Sequence, residues 1–187
     1  MIQIRKLFIG LLKKTFCFSL TLFLVCSHSF SQQNKVDSLL RLLKSTTEDT
    51  SRVNLLNDIF KVYQDNDHAT AFKYAKQALD LSEKINFLKG QASSFNNIGL
   101  YYFNIGKSSQ ALVYYLKAND IFVQIDNARG NEITLANIGF LFYSQHNYKK
   151  AIEYYSNSLT VAQETNDSNR VAILLKNIGA VFYEQGY

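Results

Sequence analysis

Few side chains in this chain of 187 residues are of the kind that carries chemistry. There are three histidines: His28 lies near the amino terminus, while His68 and His146 fall at points that read as turns, with no recurring carboxylate beside them. Both cysteines, Cys17 and Cys26, belong to an amino-terminal segment that reads as a removable export signal. Thiolate nucleophiles, disulfides and cysteine metal sites are therefore not expected in what remains. No metal-ligand spacing, nucleophile elbow or phosphate-binding glycine loop is present. Asp120 and Glu153 read as solvated helix positions, so neither catalysis nor a cofactor is expected within these residues. What does recur is an amide. Asn97-Ile98-Gly99, Asn137-Ile138-Gly139 and Asn177-Ile178-Gly179 are one triplet repeated at intervals of 40 residues. An amide both donates and accepts hydrogen bonds, so three in one phase form either a ladder for a ligand or bonds between neighbouring elements.

The interval dictates the elements that must carry those amides. Phe95, Leu135 and Leu175 lie four residues before each Gly, and Tyr102, Phe142 and Phe182 three after it. Ala111 and Ala151 follow the first two Gly by 12 residues, with Tyr114-Tyr115 and Tyr154-Tyr155 behind them at fixed offsets. Spacings of three and four are helical, and the absence of Pro removes the commonest helix breaker. A unit that cannot bury its own apolar face must stack on copies of itself. Two regular repeats cover roughly 88–127 and 128–167. A degenerate first repeat places Leu55, Leu56, Ile59 and Tyr63 on one helix and Ala71, Tyr74, Ala75 and Ala78 on the next. It aligns if its turn is one residue shorter, which sets Ile59 against Ile98 and Phe60 against Gly99. Gly90 and Gly130 read as turns between repeats, and Gly106 as the turn within one. Gly99, Gly139 and Gly179 fall inside helices, where Gly costs about 1 kcal/mol relative to Ala. Their recurrence predicts that the partner helix carrying Ala111 or Ala151 comes too close for a side chain. The tyrosine pairs on that helix read as core and rim.

The ends differ from the middle. Arg5, Lys6, Lys13 and Lys14 precede an apolar run from Phe16 to Cys26, and Ser29-Phe30-Ser31 suits a signal peptidase. The run is well short of the about 20 residues a bilayer requires, so residues 1–31 fit a cleaved signal peptide better than a retained anchor. Removing them leaves 16 basic against 15 acidic residues, a formal charge of +1, so the basic pI gives no support for a nucleic-acid partner. Residues 32–49 read as a capping helix, with Val36, Leu39, Leu40 and Leu43 on one face, followed by a linker rich in N-cap residues. The repeat array occupies 50–187. Its last helix, bearing Leu174, Leu175, Ile178, Val181 and Phe182, lacks the helix that should cover it, which suggests a truncated fourth repeat of a longer protein.

Phe95-x-x-Ile98-Gly99-x-x-Tyr102 followed by Ala111-x-x-x-Tyr115 resembles the tetratricopeptide repeat, over nearly all of residues 50–187. The period of 40 exceeds the usual 34 or so and no Pro closes a repeat. HEAT and armadillo repeats share the longer period but not the Ile-Gly-x-x-aromatic pattern. The resemblance implies an all-α, right-handed α-solenoid of antiparallel helix pairs whose concave face, lined by the first helix of each pair, binds a protein or peptide. Carried over by position, the contact residues are Asn97, Asn137 and Asn177, then Leu100 and Phe140, then Phe103, Tyr143 and Tyr183. Relatives that clamp a terminal carboxylate carry a basic residue before each Asn and an Asn after the Gly; here the first set reads Asn96, Ala136 and Lys176 and the second Leu100, Phe140 and Ala180, which disfavours that mode. The resemblance further suggests an exported, periplasm-facing sensory or interaction segment of a signalling protein, such as a sensor histidine kinase or DNA-binding regulator. Dimerisation and a membrane anchor beyond residue 187 belong to that expectation. The alternative is a free-standing periplasmic scaffold.

Overall fold

The computed structural model describes residues 35–47 and 49–186. The expected signal peptide of residues 1–31 lies outside them. A helix over 35–45, α1, falls, but for its last residue, in a separate compact unit that ends at Lys44, and the second unit, which holds the array, begins at Ser45. The array consists of α2 (Thr50–Tyr63), α3 (His68–Lys84), α4 (Leu88–Asn104), α5 (Ser108–Gln124), α6 (Ala128–Ser144), α7 (Tyr148–Glu164) and α8 (Ser168–Glu184). No strand occurs among the described residues. The helices pack in antiparallel pairs, α2 with α3, α4 with α5 and α6 with α7, as the all-α solenoid requires.

A shorter beat underlies the 40-residue period. From α3 onward every helix has 17 residues and three residues separate it from the next, so one helix plus one turn takes 20. The middle residue of each turn is left-handed: Asn86, Gly106, Asp126, His146 and Asn166, with Gly186 ending the series. Gly reaches this conformation freely, and Asn and Asp with little penalty. The N–H of the next residue then reaches back five positions, as from Lys107 to the Tyr102 carbonyl at 2.8 Å and from Asn147 to Phe142 at 2.9 Å. This reverse bond satisfies carbonyls the helix end would leave bare. That same residue opens the following helix, and where it is Asn127, Asn147 or Asp167, as with Asp67 before α3, its side chain accepts from the N–H three positions on. Hydrogen bonds from Thr70 hold the Asp67 carboxyl below its ordinary range, and the Arg170 backbone N–H does the same for Asp167. The turn after α2 is built without a left-handed residue and, contrary to the shorter link expected from the sequence, it has four residues, 64–67; the one-residue offset of the alignment is taken up by α2, which has 14 residues where the later helices have 17. Gly90 and Gly130 are not turns, contrary to the sequence reading. They are the third residues of α4 and α6, buried in the first helical turn because a neighbouring ring covers each.

Within each pair the crossing is set by one large and one small residue. A Cβ on Gly99 would lie 2.6 Å from the Tyr115 ring, and one on Gly139 would lie 2.7 Å from the Tyr155 ring. The close approach is thus made by the tyrosine four residues beyond Ala111 or Ala151, although the Ala111 carbonyl also comes within 3.2 Å of the Gly99 position. Both tyrosines are almost wholly buried, and burial pushes the Tyr155 hydroxyl up to about 12. In the first pair the partners are exchanged: Phe60 stands at the glycine position and Ala75 at the tyrosine position, both buried in one cluster.

Between repeats the packing changes character along the array. Ala92, Ala118 and Phe122 form an apolar cluster, and the Phe122 ring lies on Gly130. Forty residues later all four positions differ: Glu132, Ser158, Ala162 and Arg170. Replacing Phe by Ala opens the space into which Arg170 extends. Its guanidinium grips the buried Glu132 carboxylate with bonds of 2.6, 2.9 and 3.1 Å, and the Ser158 hydroxyl donates to the Glu132 carbonyl at 2.8 Å. Glu132 is the buried member of the pair and Arg170 only partly so; without Arg170 the carboxylate would keep only Arg129, at 3.9 Å, as a partner.

Gly179 repeats the motif, yet a Cβ there meets nothing within 4 Å. Gly179→Ala should therefore stabilise the chain by about 0.5–1 kcal/mol through helix propensity alone. Gly139→Ala should destabilise it, because the overpacking cost of about 1–3 kcal/mol exceeds that gain. Urea unfolding of the two variants distinguishes them, and an equal shift of the same sign would refute the crossing geometry.

Candidate functional site

Contacts that skip a helix join α2 to α4 and α4 to α6, and the Arg170–Glu132 bonds join α8 to α6. The first helices of the pairs therefore lie on the inner, concave side, which is where the predicted contact residues map. That face has two chemically different halves.

The amino-terminal half carries amides. Asn97 Nδ2 donates to Asn57 Oδ1 at 2.8 Å, and Asn137 Nδ2 donates to Asn96 Oδ1 at 2.9 Å. Asn57 takes a second bond, from the Ser94 hydroxyl at 3.2 Å, whereas the Thr134 hydroxyl in the same phase lies 3.4 Å from Asn96 Oδ1 and donates instead to the Gly130 carbonyl at 2.9 Å. The rungs tie α4 to α2 and α6 to α4, so Asn97 and Asn137 spend their donors on holding successive repeats in alignment. In the next repeat the acceptor position is Ala136 and the hydroxyl position is Leu174, and Asn177, half-buried, makes no such bond. Beside the rungs a cavity of about 440 Å³ opens between α2, α4 and α6, lined by Asn57, Asn96, Asn97, Lys61, Lys89 and Arg129 among others, with Phe122 and Gly130 also in its wall.

The carboxy-terminal half is aromatic. Phe103 and Phe140 have ring centroids 5.3 Å apart, Phe140 and Tyr143 6.3 Å, and Tyr143 and Tyr148 6.2 Å. Phe140 is 49% exposed, a large share for a phenylalanine with two ring neighbours. Leu100 is half-buried and packs against two core clusters, so it supports this strip from below. Tyr183, on α8, is 79% exposed. Of the eight residues the sequence nominated, Phe103, Phe140 and Tyr143 come together and Asn97 alone lines the cavity. Asn57, Asn96, Lys61, Lys89 and Arg129 were missed. Their signal was present: Lys89 and Arg129 lie 40 residues apart in one phase, and Asn57 falls opposite Asn96 once the first repeat is shifted by one.

The histidines do not contribute. His68 Nδ1 lies 2.6 Å from the Gln64 carbonyl, and His146, the left-handed residue of its turn, lies 2.9 Å from the Tyr148 hydroxyl. Among the described residues, no three His, Cys, Asp or Glu side chains stand close enough to hold a metal ion, and no helix is long and apolar enough to cross a membrane.

Comparison with known proteins agrees with this architecture. Residues 92–122 and 131–186 each match a family model described as tetratricopeptide repeat. The chain therefore contains tetratricopeptide repeats, packed as an α-solenoid. No curated protein matches it in sequence. Among solved structures it is similar in fold to a Rap protein complexed with competence and sporulation factor, with a TM-score of 0.75 at 19% identity over 85% of this chain and 46% of that one. Aspartyl phosphate phosphatase F from Bacillus subtilis aligns with a TM-score of 0.73 at 16% identity, over 84% of this chain and 45% of the other. A signal transduction ATPase with a tetratricopeptide repeat sensor, from Pyrococcus horikoshii, gives 0.69 at 21% identity over 83% and 25%. The chain thus spans half or less of the length of these three structures.

If the amide rungs hold the repeats in alignment, Asn57→Ala should cost about 1–3 kcal/mol by stripping the acceptor from Ser94 and Asn97 together. Asn177→Ala, which breaks no such bond, should change stability by no more than about 0.5 kcal/mol. Thermal melts of the two variants are the check, and coincident melting temperatures would overturn this role for the rungs.

Proposed function

We propose that this chain is a non-catalytic module that binds a protein or peptide along its concave face, and that it serves as the exported sensory or interaction segment of a longer signal-transduction protein. The observation that carries the binding reading is the strip formed by Phe103, Phe140 and Tyr143, which leaves aromatic surface open on the face where the cavity also lies. A core-facing cluster would have been covered, whereas exposed rings flanked by polar groups suit an interaction surface. Aromatic rings give contact area at small conformational cost, and the amides beside them can engage a backbone. The sensory reading draws support from the neighbours: one carries repeats of this kind as its sensor, and another is complexed with a factor. Export rests on the basic-then-apolar segment of residues 1–31.

Two experiments test the two halves of this reading. A photo-crosslinking amino acid in place of Phe140 should give a discrete adduct in cells, and the same residue in place of Val113, exposed on α5, should not. Equal labelling at both positions would remove the concave face as the binding surface. Alkaline phosphatase fused behind the chain, active only after export, should be active, and should lose activity when residues 1–31 are deleted. Activity that survives the deletion would refute the signal.

A further inference from the structure

We propose that α8 is a self-association surface through which two copies of this chain pair antiparallel, the Phe182 ring of each lying on Gly179 of the other. The basis is a stripe that recurs on the first helix of each pair. Phe95, Gly99 and Tyr102 form it on α4, and Leu135, Gly139 and Phe142 on α6. The following helix closes both, with a tyrosine ring on the glycine. On α8 the stripe reads Ala172, Leu175, Gly179 and Phe182, and no described helix closes it. Leu175 is 53% exposed and Phe182 43%, where Phe142 in the same phase is 7% exposed. At the amino-terminal end of the stripe lies a cavity of about 340 Å³, with Val171, Ala172 and Leu175 in its wall.

The glycine says what an occupant must bring. The other helical glycines, Gly90, Gly99, Gly130 and Gly139, each have an aromatic ring where a Cβ would stand, and Gly179 has nothing within 4 Å. The missing partner is therefore a ring, and α8 carries one itself. Phe182 lies three residues beyond Gly179, on the same face of the helix. A two-fold axis crossing the helix between them sets each ring against the glycine of the other copy, so a single helix supplies both halves of the contact twice over. Charge agrees with a second copy. An isologous contact lays each residue near its own counterpart, so a charge on the stripe would meet like charge. Positions 172, 175, 179, 182 and 186 hold no Asp, Glu, Lys or Arg, although the position of Ala172 is the acid Glu132 on α6. One helix face is small against the roughly 800 Å² per partner of a standard interface, which sets the dissociation constant on the order of tens of micromolar. Phe103, Phe140 and Tyr143 lie on other helices, so this pairing and the concave-face reading stand or fall separately.

Sedimentation equilibrium of the full chain over a concentration series tests the pairing. The mass should rise from one chain of 21.4 kDa toward two. Gly179→Gln puts a side chain into open space in the single chain but into the seat of the ring in the dimer. It should weaken association about tenfold or more while leaving the helical circular dichroism intact. Gly179→Ala should show opposite signs, stabilising the single chain well below the dissociation constant and loosening the dimer above it. Phe182→Ala should also dissociate the dimer, and mixing it with Gly179→Gln should restore a heterodimer, because one ring still meets one glycine and the other seat holds Gln against Ala. Val123→Gln, at an exposed position on α5, should change nothing. A chain still monomeric at about 1 mM would overturn the proposal and leave the face to a helix of another protein. A dimer indifferent to Gly179→Gln, or lost with Val123→Gln, would place the contact elsewhere and overturn it too. Mixed variants that stay apart would refute the ring-on-glycine geometry.

Discussion

The spacing between the two helices of a pair is fixed by a ring lying flat against a backbone. Tyr115 on Gly99 and Tyr155 on Gly139 leave no room for even a methyl group, so each pair closes to one distance and one angle. The rest of the array inherits that geometry. With equal helix lengths and like turns from α3 onward, a fixed crossing inside each pair repeats into a regular solenoid, and the first helices come near enough to one another for side-chain amides to bridge them. Phe60 with Ala75 shows that the constraint is on summed volume and not on which helix supplies it. Interchanging large and small residues conserves the crossing.

Two kinds of glue then join the pairs. Toward the amino terminus of the array, Phe122 on Gly130 provides apolar contact and the asparagine rungs provide alignment. At α8 the rungs cease, with Ala136 and Leu174 in the rung positions, and the buried Glu132–Arg170 pair takes over as the link that skips a helix. A buried ion pair is seldom a net gain over good apolar packing, but its directional bonds fix one geometry. The array therefore changes from a hydrogen-bonded, amide-lined inner face to one tied by charge at α8, and the aromatic strip of Phe103, Phe140 and Tyr143 lies before that change, on α4 and α6.

Much of this was legible in the residues. Helical spacing, the 40-residue interval and the glycine-to-aromatic phase gave the fold, the pairing of helices and the one-residue offset that sets Phe60 against Gly99, because each depends on local periodicity, but the offset belongs to a shorter α2 and not to a shorter turn. Periodicity also located the turns but could not say how they are made. His146 read as a solvated turn residue, and its left-handed backbone emerges only beside Asn86, Gly106, Asp126 and Asn166 in the same role. Gly90 and Gly130 were misread because composition alone treats glycine as punctuation, whereas here a ring needs the space. The site was half visible. Phe103, Phe140 and Tyr143 followed from position, but an asparagine's role depends on what lies across the groove. That partner is 40 or 41 residues away on another helix.

The asparagines illustrate why a recurring polar residue is an ambiguous sign of function. The same amide that would grip a ligand can hold two repeats together, and in Asn97 and Asn137 the donor is already committed. Yet that commitment is what gives the groove its chemistry. An unconstrained amide can rotate to offer either its oxygen or its nitrogen, and so favours neither an acid nor a base. Once Ser94 and Asn97 engage the Asn57 oxygen, and Asn137 that of Asn96, neither amide is free to rotate. Bonds that align the repeats thereby fix the orientation of the amides on the inner face.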